Sequence, residues 1–161
     1  QTIRIEPNGL TAKVTEIITP KGEVTQAVAG EVITLRLDRD IDISRGDLFV
    51  DESSQLTPQK QLEATICWFD ERPLNTARKY LLKHGTQTVF AKISEIESVL
   101  NVHTLEQESG ATDLKMNDIA RVRLSLQKPI VATTYEENIA GGAFILVDEA
   151  TYNTVAAGMI L

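Results

Sequence analysis

Apolar and polar positions alternate with a period of two along most of this chain, and a helical period is nearly absent. Leu10, Ala12 and Val14 alternate with Thr11, Lys13 and Thr15, and the apolar phase then slips through Ile17 and Ile18. A slip of phase inside a strand is what a β-bulge produces. Pro20-Lys21-Gly22 predicts a hairpin turn and Ala29-Gly30-Glu31 a second one. Beyond it Ile33, Leu35 and Leu37 share one face, with Thr34, Arg36 and Asp38 on the other. Arg45-Gly46-Asp47 predicts a third turn, followed by the short apolar run Leu48-Phe49-Val50.

Residues 51–60 are polar and contain Pro58, which marks the best linker candidate. The pattern places one unit at 1–54, a linker at 55–57 and a second unit at 58–161. In the second, Leu62, Ala64, Ile66 and Trp68 alternate with Glu63, Thr65, Cys67 and Phe69, and Arg72-Pro73-Leu74-Asn75 ends the strand. Residues 79–83 predict a short strand ending at a His84-Gly85 turn. Residues 86–99 predict a long one, with Val89, Ala91 and Ile93 on one face. Residues 105–117 form a charged loop. Ala120, Val122, Leu124 and Leu126 then alternate with Arg121, Arg123 and Ser125. Pro129 punctuates the end of that strand. Gly141-Gly142 opens the run Ala143–Val147, and the last strand covers 155–161.

Many short strands with regular turn signals predict an all-β sandwich or barrel. About six strands in the second series suffice to close a small barrel. About four in the first make a unit that buries only about 60% of its unfolded surface, which is marginal alone.

Composition narrows this further. The chain has 161 residues, 42% of them hydrophobic, enough to form a core. No apolar run reaches the roughly 18 residues of a membrane span, and nothing resembles a signal peptide. Gln1 stands where a Met would open a primary translation product, so a processed or excised N-terminus is expected. The net charge is −7, split as ten acids and six bases in residues 1–56 and thirteen acids and ten bases after them. Neither half has the basic footprint of phosphate-backbone binding, so no nucleic-acid partner is expected. Cys67 is the single cysteine, which fits a reducing compartment, the cytoplasm.

Candidate chemistry is sparse. His84, His103 and Cys67 fall short of the three or four ligands a zinc site needs, so no metal site is expected. His84 reads as a turn residue and His103 as a strand end. Cys67, beside Trp68, reads as a packed thiol rather than a nucleophile, which would need a neighbouring base. The acid pairs Asp70-Glu71, Glu136-Glu137 and Asp148-Glu149 fall in predicted turns and read as solvated, not as an acid–base pair with split pKa values. Arg45-Gly46-Asp47 reads as a turn rather than an adhesion tripeptide, its glycine supplying a positive φ. Gly141-Gly142 precedes a strand, so it reads as a tight turn or bulge rather than a phosphate cradle feeding a helix. Arg121 and Arg123 share a strand face, and read as a solvated outer face, an anion site or a contact with a neighbouring domain. No catalytic, cofactor-binding or metal-ligating residue is assigned.

Several ordered segments carry a family likeness. Ala29-Gly30-Glu31-Val32-Ile33-Thr34-Leu35 and the insert Asp40-Ile41-Asp42-Ile43-Ser44-Arg45-Gly46-Asp47 resemble the second domain of the GTPase-bearing large subunit of bacterial sulfate adenylyltransferase, a relative of the translational elongation GTPases. Tyr80–Gly85, Asn117–Val122, Pro129-Ile130 with Tyr135 and Asn138, Gly141–Ile145 and Thr154–Ile160 resemble successive strands of its third domain.

The resemblance implies a partial elongation-factor-type Greek-key barrel, lacking its opening strands, followed by a complete six-stranded barrel. It implies a parent enzyme that transfers the adenylyl group of ATP to sulfate, giving adenosine 5′-phosphosulfate and pyrophosphate, driven by GTP hydrolysis. The chain has no Gly-x-x-x-x-Gly-Lys-Ser/Thr loop and no Asn-Lys-x-Asp motif. GTP and Mg would therefore belong to a G domain outside it, and these residues would be non-catalytic. The implied partners are that G domain and an adenylyl-transferring small subunit. Unpaired edges in the truncated first barrel imply self-association or local disorder near Gln1. The alternatives are the tRNA-binding barrels of a translation elongation GTPase and a plain interaction module.

Overall fold

The computed structural model describes residues 1–161, and the chain divides into two compact units, Gln1–Thr57 and Pro58–Leu161. The first is an open antiparallel sheet of five strands: β1 (Thr2–Glu6), β2 (Leu10–Thr19), β3 (Gly22–Val24), β4 (Thr34–Leu37) and β5 (Leu48–Asp51). The pattern in the sequence predicts four of these. It misses β1, where the buried Ile3 and Ile5 alternate with Thr2, Arg4 and Glu6 over only five residues.

Strand β2 pairs through its first half with β1, and through its second half with β3 and β4. Between Val14 and Glu16 its register with β4 shifts, the bulge that the slipped apolar phase predicts. Residues 2–6 and 10–19 are thus paired strands, and the chain next to Gln1 is ordered in β1. Ile3, Ile5, Ala12 and Val50 form the small core, while Val28, Val32, Ile33, Leu48 and Phe49 stay exposed. Strands β3, β4 and β5 each have a single partner, so three edges are open.

The second unit contains β6 (Gln59–Trp68), β7 (Tyr80–His84), β8 (Gln87–Leu100), β9 (Gln107–Glu108), β10 (Ile119–Ile130), the one-turn helix α1 (Ile139–Gly142), β11 (Ala143–Val147) and β12 (Thr154–Ile160). Its strands run β10-β6-β12-β11-β7-β8, and β8 pairs back onto β10. Six strands therefore close a barrel, with two-residue β9 appended to β8.

The interior is filled by the residues the alternation assigns to it: Leu62, Ala64, Ile66 and Trp68 from β6, and Ala120, Val122, Leu124 and Leu126 from β10. Small meets large across this pair, Ala64 opposite Val122 and Ala120 opposite Ile66, so the two rows interdigitate. Trp68 donates its Nε1–H to the Arg72 carbonyl at 2.9 Å and meets Tyr80 edge to face at 5.6 Å.

Beyond Ile93 the strict alternation of β8 fails. Two register shifts against β10 set Leu124 opposite Ile93, Val122 opposite Ile96 and Ala120 opposite Val99. Apolar residues three apart thereby share the core face. One displaced residue, Ser94, donates its hydroxyl to the Arg123 carbonyl.

Gly141-Gly142, expected as a tight turn or bulge, instead closes α1. The Asn138 carboxamide caps this turn by accepting the N–H groups of Ala140 and Gly141. An asparagine three residues before Gly141 is the signal that the strand-dominated pattern obscures.

At the turn after β11, Asp148 is 1% exposed. It is not the solvated turn acid that the sequence suggests. Its carboxylate accepts the Ala150 and Thr151 N–H groups, each at 2.9 Å, and pairs with Arg78 at 2.9 Å. The Thr151 N–H above all, then that of Ala150 and the Arg78 guanidinium, holds the carboxyl below the ordinary value, against a burial that pushes it up.

Packing at two glycines can be tested directly. A Cβ at Gly158 would overlap the Phe144 ring, and one at Gly142 would overlap the Tyr135 backbone. In thermal unfolding, Gly158→Ala should cost about 1–3 kcal/mol, and Gly142→Ala more, because a ring can swing aside and a backbone cannot. Equal or negligible losses would contradict the packing.

The Asp148 carboxyl has a depressed folded pKa, so its contribution is complete above the unfolded value of about 3.9 and is lost as pH falls toward the folded value. Asp148→Asn should lower stability at pH 7 by about 1–3 kcal/mol. The gap to wild type should narrow as the pH falls below about 5. A gap independent of pH would refute the assignment.

Candidate functional site

Closure of the barrel makes its outer wall as regular as its core. With Ile66 and Trp68 inward, Thr65 and Cys67 of β6 face out; with Ala156, Gly158 and Ile160 inward, Ala157 and Met159 of β12 face out. Ala143 and Ile145 of β11 and Lys83 of β7 follow the same rule. The pairings place Cys67 and Ile145 on either side of Ala157, Thr65 and Ala143 on either side of Met159, and Lys83 beside Ile145.

The result is an open cavity of about 690 Å³ spread across four strands and lined by these residues, with Ile119 and Tyr135 at its edge. Lys83 is its one charged side chain. An outer barrel wall facing water normally carries polar groups at these positions. Here small and apolar residues replace them, which lets another surface approach closely.

The remainder of the wall is ionic. Arg121 pairs with Glu63 at 3.0 Å and Glu97 at 2.9 Å; Arg123 pairs with Glu95 at 2.9 Å, Glu97 at 2.7 Å and Glu63 at 3.3 Å. The Arg121 hydrogen bond, then that of Arg123, holds the Glu63 carboxyl below its ordinary value. The two shifts in β8 are what bring Glu95 and Glu97 out beside Arg123. Three carboxylates surround two guanidiniums, so the lattice offers no excess positive charge. Of the readings for Arg121 and Arg123, an anion site loses its basis. These pairs are half exposed and screened by water, so each adds little to stability.

The remaining candidates are dispersed. His84 is not a turn residue but the buried end of β7. Its Nε2 lies 2.8 Å from the Gly141 carbonyl; because a carbonyl only accepts, Nε2 carries the proton and donates. Thr133 donates its N–H to the same oxygen, so Gly141 ties α1 to β7 and to the chain ahead of α1. His103 lies in the turn between β8 and β9, not at a strand end. Cys67 is half-buried in the apolar cavity, whose lining holds no histidine or carboxylate to take a thiol proton. Asp70 is bound by Arg72, and Asp47 closes its turn by accepting the Ser44 N–H at 2.8 Å. Nowhere do three His, Cys, Asp or Glu side chains gather as a metal ion requires. No helix is long and apolar enough to cross a membrane. The wall of the second barrel, half apolar and half ionic, is the feature that stands out.

Comparison with known proteins agrees with this architecture. The chain is 41% identical over 156 residues to the bifunctional enzyme CysN/CysC of Mycobacterium tuberculosis, a match covering 96% of the chain and 25% of that protein. It is 36% identical over 159 residues to sulfate adenylyltransferase subunit 1 of Saccharophagus degradans, covering 99% of the chain and 34% of the relative. The chain thus spans a quarter to a third of the length of these relatives. Among solved structures, sup35 complexed with GDP superposes with a TM-score of 0.89 at 19% identity, over the whole chain and 40% of that protein, a likeness of fold. The family described as GTP-eEF1A C-terminal domain-like matches residues 61–161, more than half of the chain. This chain belongs to the GTP-eEF1A C-terminal domain-like family.

Proposed function

We propose that these residues are the C-terminal barrels of the large subunit of a GTP-driven sulfate adenylyltransferase, and that they couple rather than catalyse. Residues 1–54 correspond to the last part of an elongation-factor-type second domain, 55–57 to a linker and 58–161 to the third domain. The observation that carries the reading is identity of 36–41% to sulfate adenylyltransferase relatives across nearly the whole chain, both units included. GTP and Mg are held by a G domain outside these residues, and adenylyl transfer from ATP to sulfate occurs on a separate small subunit, in the cytoplasm. The apolar half of the barrel wall is a packing surface in that assembly. Coupling requires contacts that differ between the two nucleotide states, and a closed barrel supplies a rigid body on which such contacts can act.

Translation-factor barrels share the fold, so fold alone does not separate the two functions. The neutralised arginine lattice and the acidic net charge speak against an RNA-binding wall.

The decisive assay is sulfate-dependent pyrophosphate release from ATP by the full-length protein with its small subunit. GTP should stimulate it strongly. Absence of sulfate-dependent turnover in a folded complex, with salt-sensitive tRNA binding instead, would transfer the assignment to translation.

Ala157→Glu places a carboxylate at the centre of the apolar wall without entering the core. It should reduce GTP stimulation about tenfold while the thermal midpoint stays near wild type. Unchanged stimulation would remove the wall from the coupling path.

The open edges of β3, β4 and β5, beside exposed Val28, Val32, Ile33, Leu48 and Phe49, favour self-association of this 161-residue chain. Its mass in sedimentation should rise with concentration, and a concentration-independent monomer would contradict this.

A further inference from the structure

The polar stretch that ends the first unit has the composition of a free linker. The structure gives it a different status, and one side chain is responsible. Arg4 stands on β1 with its side chain 21% exposed. Its Nε–H donates to Glu6 Oε1 at 2.6 Å. Nη1 donates to the Glu52 carbonyl at 3.0 Å, and Nη2 to the Ser54 carbonyl at 2.9 Å and the Leu56 carbonyl at 2.8 Å. Four of its five N–H groups are used, and three of them hold the alternate carbonyls of Glu52, Ser54 and Leu56.

That geometry is particular to a planar fork. A lysine ammonium on its single stem could not reach Glu6 and three carbonyls spaced two residues apart. Glu6, 5% exposed at its side chain, keeps the guanidinium oriented. The segment has local ties as well. The Asp51 carboxylate accepts the Ser53 N–H and hydroxyl and the Gln1 amide. The Ser53 hydroxyl first, then its N–H, pushes the Asp51 carboxyl down to about 2. Ser54 donates its N–H to the Asp51 carbonyl at 2.9 Å. These local bonds shape the turn, whereas Arg4 ties the carbonyls of Ser54 and Leu56, beyond the turn, to the sheet.

We propose that Arg4 is a latch that makes residues 52–56 a strap of the first unit, leaving Thr57-Pro58 as the free joint before the second barrel. Arg4 is thereby a positioning residue for coupling: a displacement of β1 is carried along residues 52–56 as far as the Thr57-Pro58 joint instead of being absorbed within that segment. The latch itself stands on geometry; its consequence for coupling rests on the function proposed above.

The test uses two variants, because removing Arg4 alone strands the buried Glu6 carboxylate. Arg4→Met with Glu6→Gln removes both charges and keeps their volume, while Arg4→Lys keeps the charge and loses the fork. Amide hydrogen exchange on this chain should show residues 53–57 exchanging at least tenfold faster in the double variant and partly faster in Arg4→Lys, with β6–β12 unchanged. Exchange at 53–57 equal to wild type would overturn the latch. In the full-length enzyme with its small subunit, the same double variant should lose GTP stimulation while turnover without GTP persists. Faster exchange with intact stimulation would overturn the role in coupling. Absence of sulfate-dependent turnover in the unaltered enzyme would sink the functional assignment, leaving exchange to decide the latch.

Discussion

The pairing of β8 with β10 is the contact on which the second unit depends, since without it six strands are an open sheet with two raw edges. A fourteen-residue strand cannot wrap toward its partner while keeping perfect alternation. The two shifts after Ile93 resolve the conflict by bending β8 and keeping Ile96 and Val99 on the core side. They also carry Glu95 and Glu97 outward to Arg123. The irregularity that closes the core and the ionic half of the wall therefore have one cause.

The first unit lacks such a closing pair, and its chemistry differs accordingly. Its buried apolar set is four residues, against more than twenty in the barrel. Order near its edge depends more on polar bonds: Arg4 across β1, Glu6 behind it, Asp51 at the turn. A sheet with so little apolar burial has little hydrophobic free energy to hold a polar segment in place. A guanidinium fork with four hydrogen bonds therefore matters there more than it would in the barrel.

Where a strand is long and buried on one side, its residues suffice to place it. Leu62 to Trp68 and Ala120 to Leu126 alternate so strictly that only one register fills the core, and their inward and outward faces follow at once. The bulge in β2 is visible as a phase slip for the same reason. Legibility fails where order comes from single polar contacts. Asp148 looks like any turn acid, because its partners Arg72 and Arg78 lie some seventy residues earlier in the chain. His84 looks like a turn residue, because Gly141 lies far along the chain. The wall is legible only with the strand order in hand: Thr65, Cys67, Ala143, Ile145, Ala157 and Met159 are ordinary residues of separate strands, and become a patch once those strands are neighbours.

That patch and the strap connect to function by a common argument. A rigid barrel can transmit a change only through what touches it and through the chain that enters it. The apolar wall offers the first route, since small side chains on four adjacent strands let a partner approach the backbone closely. The strap offers the second, since a segment held at three carbonyls moves with β1. In the function proposed above, the wall and the strap are the physical means by which a change of position is passed on.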